Sequence, residues 1–274
     1  MAFNHVRALF AVLSLVLAMT VQAQAAVVAH WSFDADSGTS VADSARPGSP
    51  GTIIDSAGTL NAPGVFNASG PLSTGGVELS GNSQGVRVPR IDLATSSFTF
   101  AAWIDPTSLT PQAQIFGDWS SPWQMRFYIN SLDAPNPGKL GFDLRADGPN
   151  PNNGNIIGLT TGSTYVTTGS GFQHVAVTWD RDTKTATIYY NGAVVGSATS
   201  AMTNVDAIDG NHANYDIGYK QDGGGEFIGN MDEVWVFTTA LGVNDIQSLI
   251  TANAIPEPSS LCLLAIAGLM LRRR

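Results

Sequence analysis

Residues 174–190, HVAVTWD followed by RDTK and TATIYY, set the architecture of this chain. Apolar and polar residues alternate on both sides of the tetrapeptide, and this period of two is typical of half-buried β-strands. Val175, Val177 and Trp179 fall on one face of the first strand, and the turn at 181–184 sends the chain back. The sequence therefore predicts an antiparallel hairpin in an all-β protein.

Similar short segments occur on both sides of this hairpin, separated by clusters of Gly, Pro, Asn and Asp. We predict further strands at 29–33, 76–79, 86–88, 97–104, 114–119, 124–129, 139–144, 193–197, 215–219 and 230–237. The Asn- and Pro-rich stretch 147–158 is predicted to be a loop. Apolar residues at helical spacing predict one short helix at 243–251. This order of elements favours a two-sheet antiparallel sandwich of the jelly-roll type.

Composition excludes several classes of protein and site. The chain has 13 Lys and Arg against 22 Asp and Glu, a net charge of −9, which argues against a nucleic-acid partner because phosphate binding needs basic surface. Its single cysteine, Cys262, lies near the C-terminus. The body of the chain therefore has no disulfide, zinc–thiolate site or cysteine nucleophile.

The N-terminal residues 1–25 have the pattern of a secretory signal peptide. Arg7 precedes a mostly apolar run, and Ala23-Gln24-Ala25 matches the small residues of a cleavage site. We predict cleavage after Ala25, with an N-terminal membrane anchor as the alternative. Residues 26–252 then form one domain, large enough for a single sizeable core.

Several segments, in their order along the chain, resemble the laminin-G-like, concanavalin A-like family. They are HWSFD at 30–34, GVELS at 76–80, FTFAAWI at 98–104, the hairpin from 172 to 192, and GNMDEVWVF at 229–237 followed by Ala240-Leu241. The resemblance implies a two-sheet jelly roll whose first and last strands run side by side. It implies uses that include glycan binding, protein binding and spacing, and it fixes no ligand.

The tail resembles a bacterial PEP-CTERM sorting signal. Pro256-Glu257-Pro258 is followed by an apolar run and by three arginines at 272–274. Eleven apolar residues form about 16 Å of helix, which is short for a membrane span and favours a transient membrane segment at 253–274. The resemblance implies an exosortase-type processing enzyme as a partner; a plain tail anchor is the alternative.

Three aspartates are candidate metal ligands. Asp34 ends the first strand, Asp43 lies in the next loop and Asp232 lies in the closing strand, so adjacent first and last strands would bring their oxygens together. Calcium prefers such oxygen ligands, and we predict a structural calcium; the alternative is that these residues cap turns. Asp216, Asp222 and Glu226 are a weaker candidate set, which also fits a flexible acidic loop.

A second candidate site is a glycan-binding surface. Trp119 and Trp123 lie in a Pro- and Ser-containing turn, and exposed indole rings stack on sugars. Arg126, Asp143 and Arg145 on adjacent predicted strands would bond sugar hydroxyls. The alternative is that the two indoles close one end of the core.

No catalytic residue is predicted. Glycosidases need two carboxylates at a set separation, and a regular strand sends the adjacent Asp232 and Glu233 to opposite faces. His30 and His174 lie in strand patterns and look structural. We therefore expect a non-enzymatic protein at the cell surface or in the extracellular matrix that binds polysaccharide or a surface protein. A carbohydrate-active hydrolase or lyase and a purely structural envelope spacer are the alternatives.

Overall fold

The predicted hairpin lies inside one of two antiparallel sheets. Its strands run over Gln173–Asp180 and Thr185–Tyr190, with Val177 directly opposite Ile188. Val175, Val177 and Trp179 are fully buried, as their shared face predicts. The structure, a computed structural model, describes residues 25–54, 65–67, 70–71, 75–81, 84–93, 95–118, 125–129, 137–145, 155–202, 214–219 and 225–252.

Sixteen strands and one helix are present in this described part of the chain. In chain order the elements are β1 (Val27–Trp31), β2 (Ser40–Val41), β3 (Gly51–Ile54), β4 (Val65–Asn67), β5 (Gly76–Ser80), β6 (Gly85–Pro89), β7 (Phe98–Ser108), β8 (Ala113–Gly117), β9 (Met125–Ile129), β10 (Leu140–Arg145), β11 (Asn155–Thr160), β12 (Gln173–Asp180), β13 (Thr185–Tyr190), β14 (Ala193–Thr199), β15 (Asn214–Ile217), β16 (Ile228–Phe237) and α1 (Val243–Ala252).

The strands form two eight-stranded sheets. Sheet A has the order β14-β13-β12-β7-β16-β5-β4, with β1 also paired to β16. Sheet B has the order β11-β10-β9-β8-β15-β6-β3-β2. The aromatic core joins the sheets, since Phe100 of sheet A lies 4.5 Å, centroid to centroid, from Phe116 of sheet B. The predicted two-sheet antiparallel sandwich with one short helix is confirmed.

The first and last strands of the domain are neighbours, as expected. β1 pairs with β16 in antiparallel register, with His30 opposite Trp235 and Trp31 opposite Val234. Trp31 and Val236 are fully buried on the core side of this pair. Residues some two hundred positions apart in sequence, such as His30 and Glu233, are therefore brought into contact.

The predicted loop at 147–158 is wrong in its last part, because β11 begins at Asn155. β11 pairs with β10 along its length and is an edge strand of sheet B. Ile156, Ile157 and Leu159 are buried there, so apolar burial outweighs the turn-forming residues that precede them. The short strands β2, β3 and β4 were also not predicted from the sequence.

Helix α1 follows the closing strand and covers part of sheet A. Ile246 and Leu249 are buried, and Gln247 and Ile250 lie against Gly192 in the turn between β13 and β14. The Asp245 carboxylate accepts a hydrogen bond from the Gly242 amide at the N-terminus of the helix. No helix in the described ranges is long and apolar enough to cross a membrane.

Candidate functional site

A series of polar contacts connects the first strand, β1, with the last strand, β16. The Nε2 atom of His30 lies 2.5 Å from Oε2 of Glu233, and its Nδ1 lies 2.8 Å from the Ser44 hydroxyl. The imidazole also stacks on Trp235 at a centroid distance of 3.4 Å. Glu233 is 1% exposed, so this contact places a carboxylate inside the protein beside a partly exposed imidazole.

Glu233 reaches His30 because β16 is bulged at this point. Asp232 is opposite Trp103 of β7, but Trp235 is already opposite Ala101, so β16 carries an extra residue. Glu233 itself has a φ of +50°, in the left-handed region that non-glycine residues rarely adopt. The expectation that Asp232 and Glu233 alternate across a regular strand is therefore wrong, and both side chains are buried.

Asp43 caps the turn that follows β2. Its Oδ1 accepts hydrogen bonds from the amides of His30, Ala45 and Arg46 at 3.0–3.1 Å. Its Oδ2 lies 2.8 Å from Nε of Arg46. Both oxygens thus accept hydrogen bonds from protein donors, which is the arrangement that the turn-capping alternative describes.

Asp34 and Asp232 lie beside a different segment. The Asp34 carboxylate accepts a hydrogen bond from the Gly75 amide at 3.1 Å. Oδ2 of Asp232 is so close to Gly70 that a Cβ atom there would lie 2.1 Å from it. Two of the three predicted ligands are thus near Gly70 and Gly75, whereas Asp43 faces His30 and Arg46.

The described residues contain no group of three or more His, Cys, Asp or Glu side chains arranged to hold a metal ion. The predicted set of three aspartates is not assembled, and calcium binding stays a prediction. Of the weaker set, Asp216 lies in β15 and pairs with Arg87, while Asp222 lies outside the described residues.

The predicted glycan-binding residues Arg126 and Asp143 lie on the face of sheet B that points away from the core. They are directly opposite each other on β9 and β10, and Nε of Arg126 is 2.6 Å from Oδ2 of Asp143. Both residues are less than a tenth exposed although they lie on an outer face. Arg145 follows two positions after Asp143 on the same face and is partly exposed. Trp119 and Trp123 lie outside the described residues.

Tyr128 extends this cluster. The guanidinium carbon of Arg126 lies 4.6 Å from the centre of the Tyr128 ring. That ring covers Gly141 of β10, where a Cβ atom would lie 2.3 Å from it, so only glycine fits beneath it. Burial, with a smaller contribution from the Asp143 charge, raises the pKa of Tyr128 to about 12, so its hydroxyl keeps its proton at neutral pH.

A second ion pair lies further along the outer face of sheet B. Arg87 of β6 donates to both oxygens of Asp216 on β15, at 2.9 and 3.2 Å, and the Asp216 side chain is fully buried. Hydrogen bonding to this carboxylate opposes the burial of Arg87 and leaves its pKa raised. The side chain of Gln114 on β8 donates to the backbone oxygens of Gly117 and Asp216. The outer polar row, defined as Arg87, Asp216, Gln114, Tyr128, Arg126 and Asp143, thus crosses sheet B.

Arg126, Asp143 and Arg145 were predicted from the sequence as candidate ligand-binding residues, whereas Arg87, Gln114 and Tyr128 were not. Arg87 and Tyr128 each alternate with apolar residues in strands that were predicted, and this alternation was the available signal. The pairing of Arg87 with Asp216 depends on β6 lying beside β15, which their distance in sequence does not reveal.

Two family models match the chain. Residues 80–247 match the model of the concanavalin A-like lectin/glucanases superfamily, and residues 254–274 match the PEP-CTERM protein-sorting motif. The sorting motif includes the predicted Pro256, Glu257 and Pro258. It indicates an exported protein that is sorted to the cell envelope or surface and implies processing by an exosortase. No curated protein matches the chain.

Solved structures with the same fold include binding domains and an enzyme. Domain 4 of AbnA, an extracellular arabinanase of Geobacillus stearothermophilus solved with arabinotriose, is 21% identical with a TM-score of 0.61; the match covers 84% of this chain and 100% of that one. The binding domain of Paraclostridial Mosquitocidal Protein 1 is 14% identical with a TM-score of 0.61, over 83% of this chain and 52% of that one. Trypanosoma rangeli sialidase with the inhibitor DANA is 14% identical with a TM-score of 0.52, over 87% and 34%.

The chain spans the whole of the arabinanase domain but about half of the binding domain of the mosquitocidal protein and a third of the sialidase. At these identities the likeness establishes the fold. The family model covers more than half of the chain, and the ordered strands, the pairing of β1 with β16 and the two-sheet core agree with it. The chain therefore belongs to the concanavalin A-like lectin/glucanases superfamily and ends in a PEP-CTERM sorting motif.

Proposed function

We propose that this protein is a non-catalytic polysaccharide-binding module of the cell surface or extracellular matrix, which binds its ligand on the outer face of sheet B. The observation that carries the proposal is the Arg126–Asp143 pair beside Tyr128. An outer sheet face needs no buried charges for folding, and burying an ion pair is costly, so a row of such pairs favours a function in binding.

The chemistry of this face suits sugar hydroxyls. A hydroxyl group donates one hydrogen bond and accepts others, and the cluster offers a guanidinium, a carboxylate and a phenol that stays protonated. The likeness to an arabinanase domain solved with arabinotriose and to the binding domain of Paraclostridial Mosquitocidal Protein 1 supports a binding role. A predicted signal peptide at 1–25 and the sorting motif agree with display outside the cell.

The absence of catalysis is proposed from how the buried acids of the closing strand are used. Asp232 accepts a hydrogen bond from the Glu233 amide, and Glu233 contacts His30. Both are engaged within the protein, and neither faces the outer polar row of sheet B across a cleft. A glycosidase would need two such groups on either side of a bound sugar.

The test is retention of the purified full chain on a panel of polysaccharides, including arabinan and xylan, with and without Ca²⁺. The double variant Arg126→Met/Asp143→Leu should keep the melting temperature, because apolar replacement of a buried ion pair is often neutral. It should weaken retention at least about tenfold, since a hydrogen bond to a charged group contributes about 1.5–3 kcal/mol.

The matched control is Glu78→Gln, which removes an exposed carboxylate from β5 of sheet A and should bind as wild type. Unchanged retention of the double variant would refute binding at this face. No retention of the wild-type chain on any polysaccharide would instead favour a protein ligand or a spacer.

A serine hydrolase is the second candidate, and one observation favours it. The exposed Ser44 hydroxyl, His30 and the buried Glu233 form a nucleophile–base–acid chain of hydrogen bonds. The surrounding backbone amides argue against a serine hydrolase. The amides of Ala45 and Arg46 donate to Asp43, and the Ser44 amide donates to the His30 carbonyl. None of the three is therefore left to bind an oxyanion.

We expect that a fluorophosphonate probe does not label Ser44 covalently, as measured by intact-mass spectrometry. Labelling of the wild-type chain that is lost in Ser44→Ala would instead support the hydrolase.

A further inference from the structure

The two ion pairs on the outer face of sheet B lie in a single row that crosses the strands. Five residues of neighbouring strands are directly opposite one another, and we call them the cross-strand row: Arg87 of β6, Asp216 of β15, Gly117 of β8, Arg126 of β9 and Asp143 of β10. Residues that are opposite one another on neighbouring strands point to the same face of the sheet. The Arg87–Asp216 pair and the Arg126–Asp143 pair are therefore parts of one surface.

The strand order gives the separation of the two pairs. Strands β6 and β9 are three strand spacings apart in sheet B. A spacing of about 4.8 Å places the backbones of Arg87 and Arg126 about 14 Å apart. A sugar ring with its linking oxygen spans roughly 5 Å, because bonds of about 1.5 Å cross it. A linear chain of about four sugar units is thus needed to reach both arginines.

The middle position of the cross-strand row has no side chain. This position is Gly117, where a Cβ atom would lie 2.5 Å from the Met125 carbonyl oxygen and 2.9 Å from Cα of Arg126. A larger residue at 117 would clash with the backbone of β9, so glycine is required. As a result, only backbone separates the two ion pairs within the row.

Arg87 has hydrogen-bonding capacity that its ion pair does not use. Its Nε and Nη2 atoms donate to the two Asp216 oxygens, and no described residue accepts a hydrogen bond from its Nη1. The Arg87 side chain is 22% exposed, whereas the Asp216 side chain is fully buried. Asp216 therefore orients the guanidinium and balances its charge, while the Nη1 hydrogens of Arg87 can donate to a ligand.

The charges of the cross-strand row favour an uncharged ligand. Each guanidinium in the row is matched by a carboxylate, so the row carries no net charge. The whole chain has a net charge of −9, which disfavours the approach of an acidic polymer. Hydroxyl groups of a neutral sugar both donate and accept hydrogen bonds, so they suit a guanidinium beside a carboxylate.

We propose that the ligand is an uncharged linear polysaccharide that crosses the strands of sheet B, with one sugar unit on Arg87 and another on the Arg126–Asp143 pair. This inference rests on the proposed function and adds a second contact, a direction and a minimum length to it. Once one contact has formed, the second is intramolecular and forms at a high effective concentration. Affinity therefore increases with chain length until both contacts are reached.

The test is the dependence of affinity on the length of the sugar chain. Xylo-oligosaccharides and arabino-oligosaccharides, from disaccharides to hexasaccharides, are titrated into the full chain. Wild type should bind a hexasaccharide at least about tenfold more tightly than a trisaccharide, since a hydrogen bond to a charged group contributes about 1.5–3 kcal/mol. Arg87→Met/Asp216→Leu should lose this gain while it keeps the wild-type affinity for the disaccharide. Its melting temperature should also be kept, because apolar replacement of a buried ion pair is often neutral.

A second variant keeps the test decisive if the double variant does not fold. Arg87→Lys keeps a positive charge beside Asp216 but lacks the planar fork of the guanidinium, so it should reduce the gain with chain length. The matched control is Arg90→Met, which removes an exposed guanidinium just beyond β6 and outside the cross-strand row. It should keep the whole gain.

Two results would overturn this inference and leave polysaccharide binding intact. One is equal affinity of wild type for trisaccharides and hexasaccharides, and the other is a gain with chain length that both Arg87 variants retain. Tighter binding of polygalacturonate than of xylan would overturn the uncharged ligand class. Failure of the wild-type chain to bind any polysaccharide would instead overturn the proposed function, and this inference with it.

Discussion

Acidification from about pH 7 to about pH 4 is expected to destabilise the folded domain strongly through His174. The imidazole is 1% exposed on β12, against Trp103, and burial alone lowers its pKa from 6.5 to about 3. Between these two values the unfolded chain binds a proton that the folded chain does not, so the free energy of unfolding falls as the pH falls. Each pKa unit is about 1.4 kcal/mol, so the interval of about 2.5 units between the unfolded pKa of 6.5 and pH 4 gives an upper limit of about 3.5 kcal/mol.

The measurement is denaturant unfolding of wild type and His174→Gln at a series of pH values. Glutamine is polar and does not titrate, so its curve should be flatter, and the stability advantage of wild type at neutral pH should shrink in acid. Carboxylates titrate equally in both proteins and cancel in the difference. Thr178→Val, a buried control on the same strand, should shift the whole curve without changing its slope. Parallel curves for wild type and His174→Gln would contradict the prediction.

The fold was predictable because its central strands carry strong alternation. Phe98, Phe100, Ala102 and Ile104 share the buried face of β7, as their spacing indicates, and the β12–β13 hairpin has the predicted turn. The strand β11 was missed because glycine at 158 and the preceding Asn and Pro residues outweigh three apolar side chains in a local reading. Its burial depends on β10, a partner that single-segment patterns do not include.

The candidate site was predictable in part for the same reason. Arg126 and Asp143 follow the alternation of adjacent strands, and this was sufficient to place them on one face. The role of Asp43 could not be predicted in this way, because an aspartate that follows a strand fits a metal ligand and a turn cap equally well. The turn cap becomes visible only in the structure, where Asp43 accepts hydrogen bonds from three backbone amides and from the Arg46 side chain. The Glu233 bulge was not predictable, because a left-handed φ at glutamate has no sequence signal.

The contact between His30 and Glu233 leads to an asymmetric expectation. Replacing Glu233 leaves a partly exposed His30 imidazole that still contacts Ser44. Replacing His30 instead leaves the buried Glu233 carboxylate, whose Oε1 already has no hydrogen-bond partner among the described residues. An uncompensated buried charge costs about 3–5 kcal/mol. We therefore expect His30→Phe, which keeps an aromatic ring on Trp235, to be much more destabilising than Glu233→Leu.

The double variant His30→Phe/Glu233→Leu shows whether the stability lost in His30→Phe comes from the isolated carboxylate or from lost packing. If the cost of His30→Phe comes from the isolated carboxylate, adding Glu233→Leu restores most of the lost stability, and the cycle gives a large coupling energy. If it comes from lost packing on Trp235, the two costs add. Urea unfolding at neutral pH measures all four proteins, and the backbone strain at position 233 does not confuse the comparison, since leucine and glutamate both carry a Cβ atom at a φ of +50°. The prediction would be refuted if the losses of unfolding free energy in the two single variants add in the double variant. It would also be refuted if Glu233→Leu lowers the stability more than His30→Phe does.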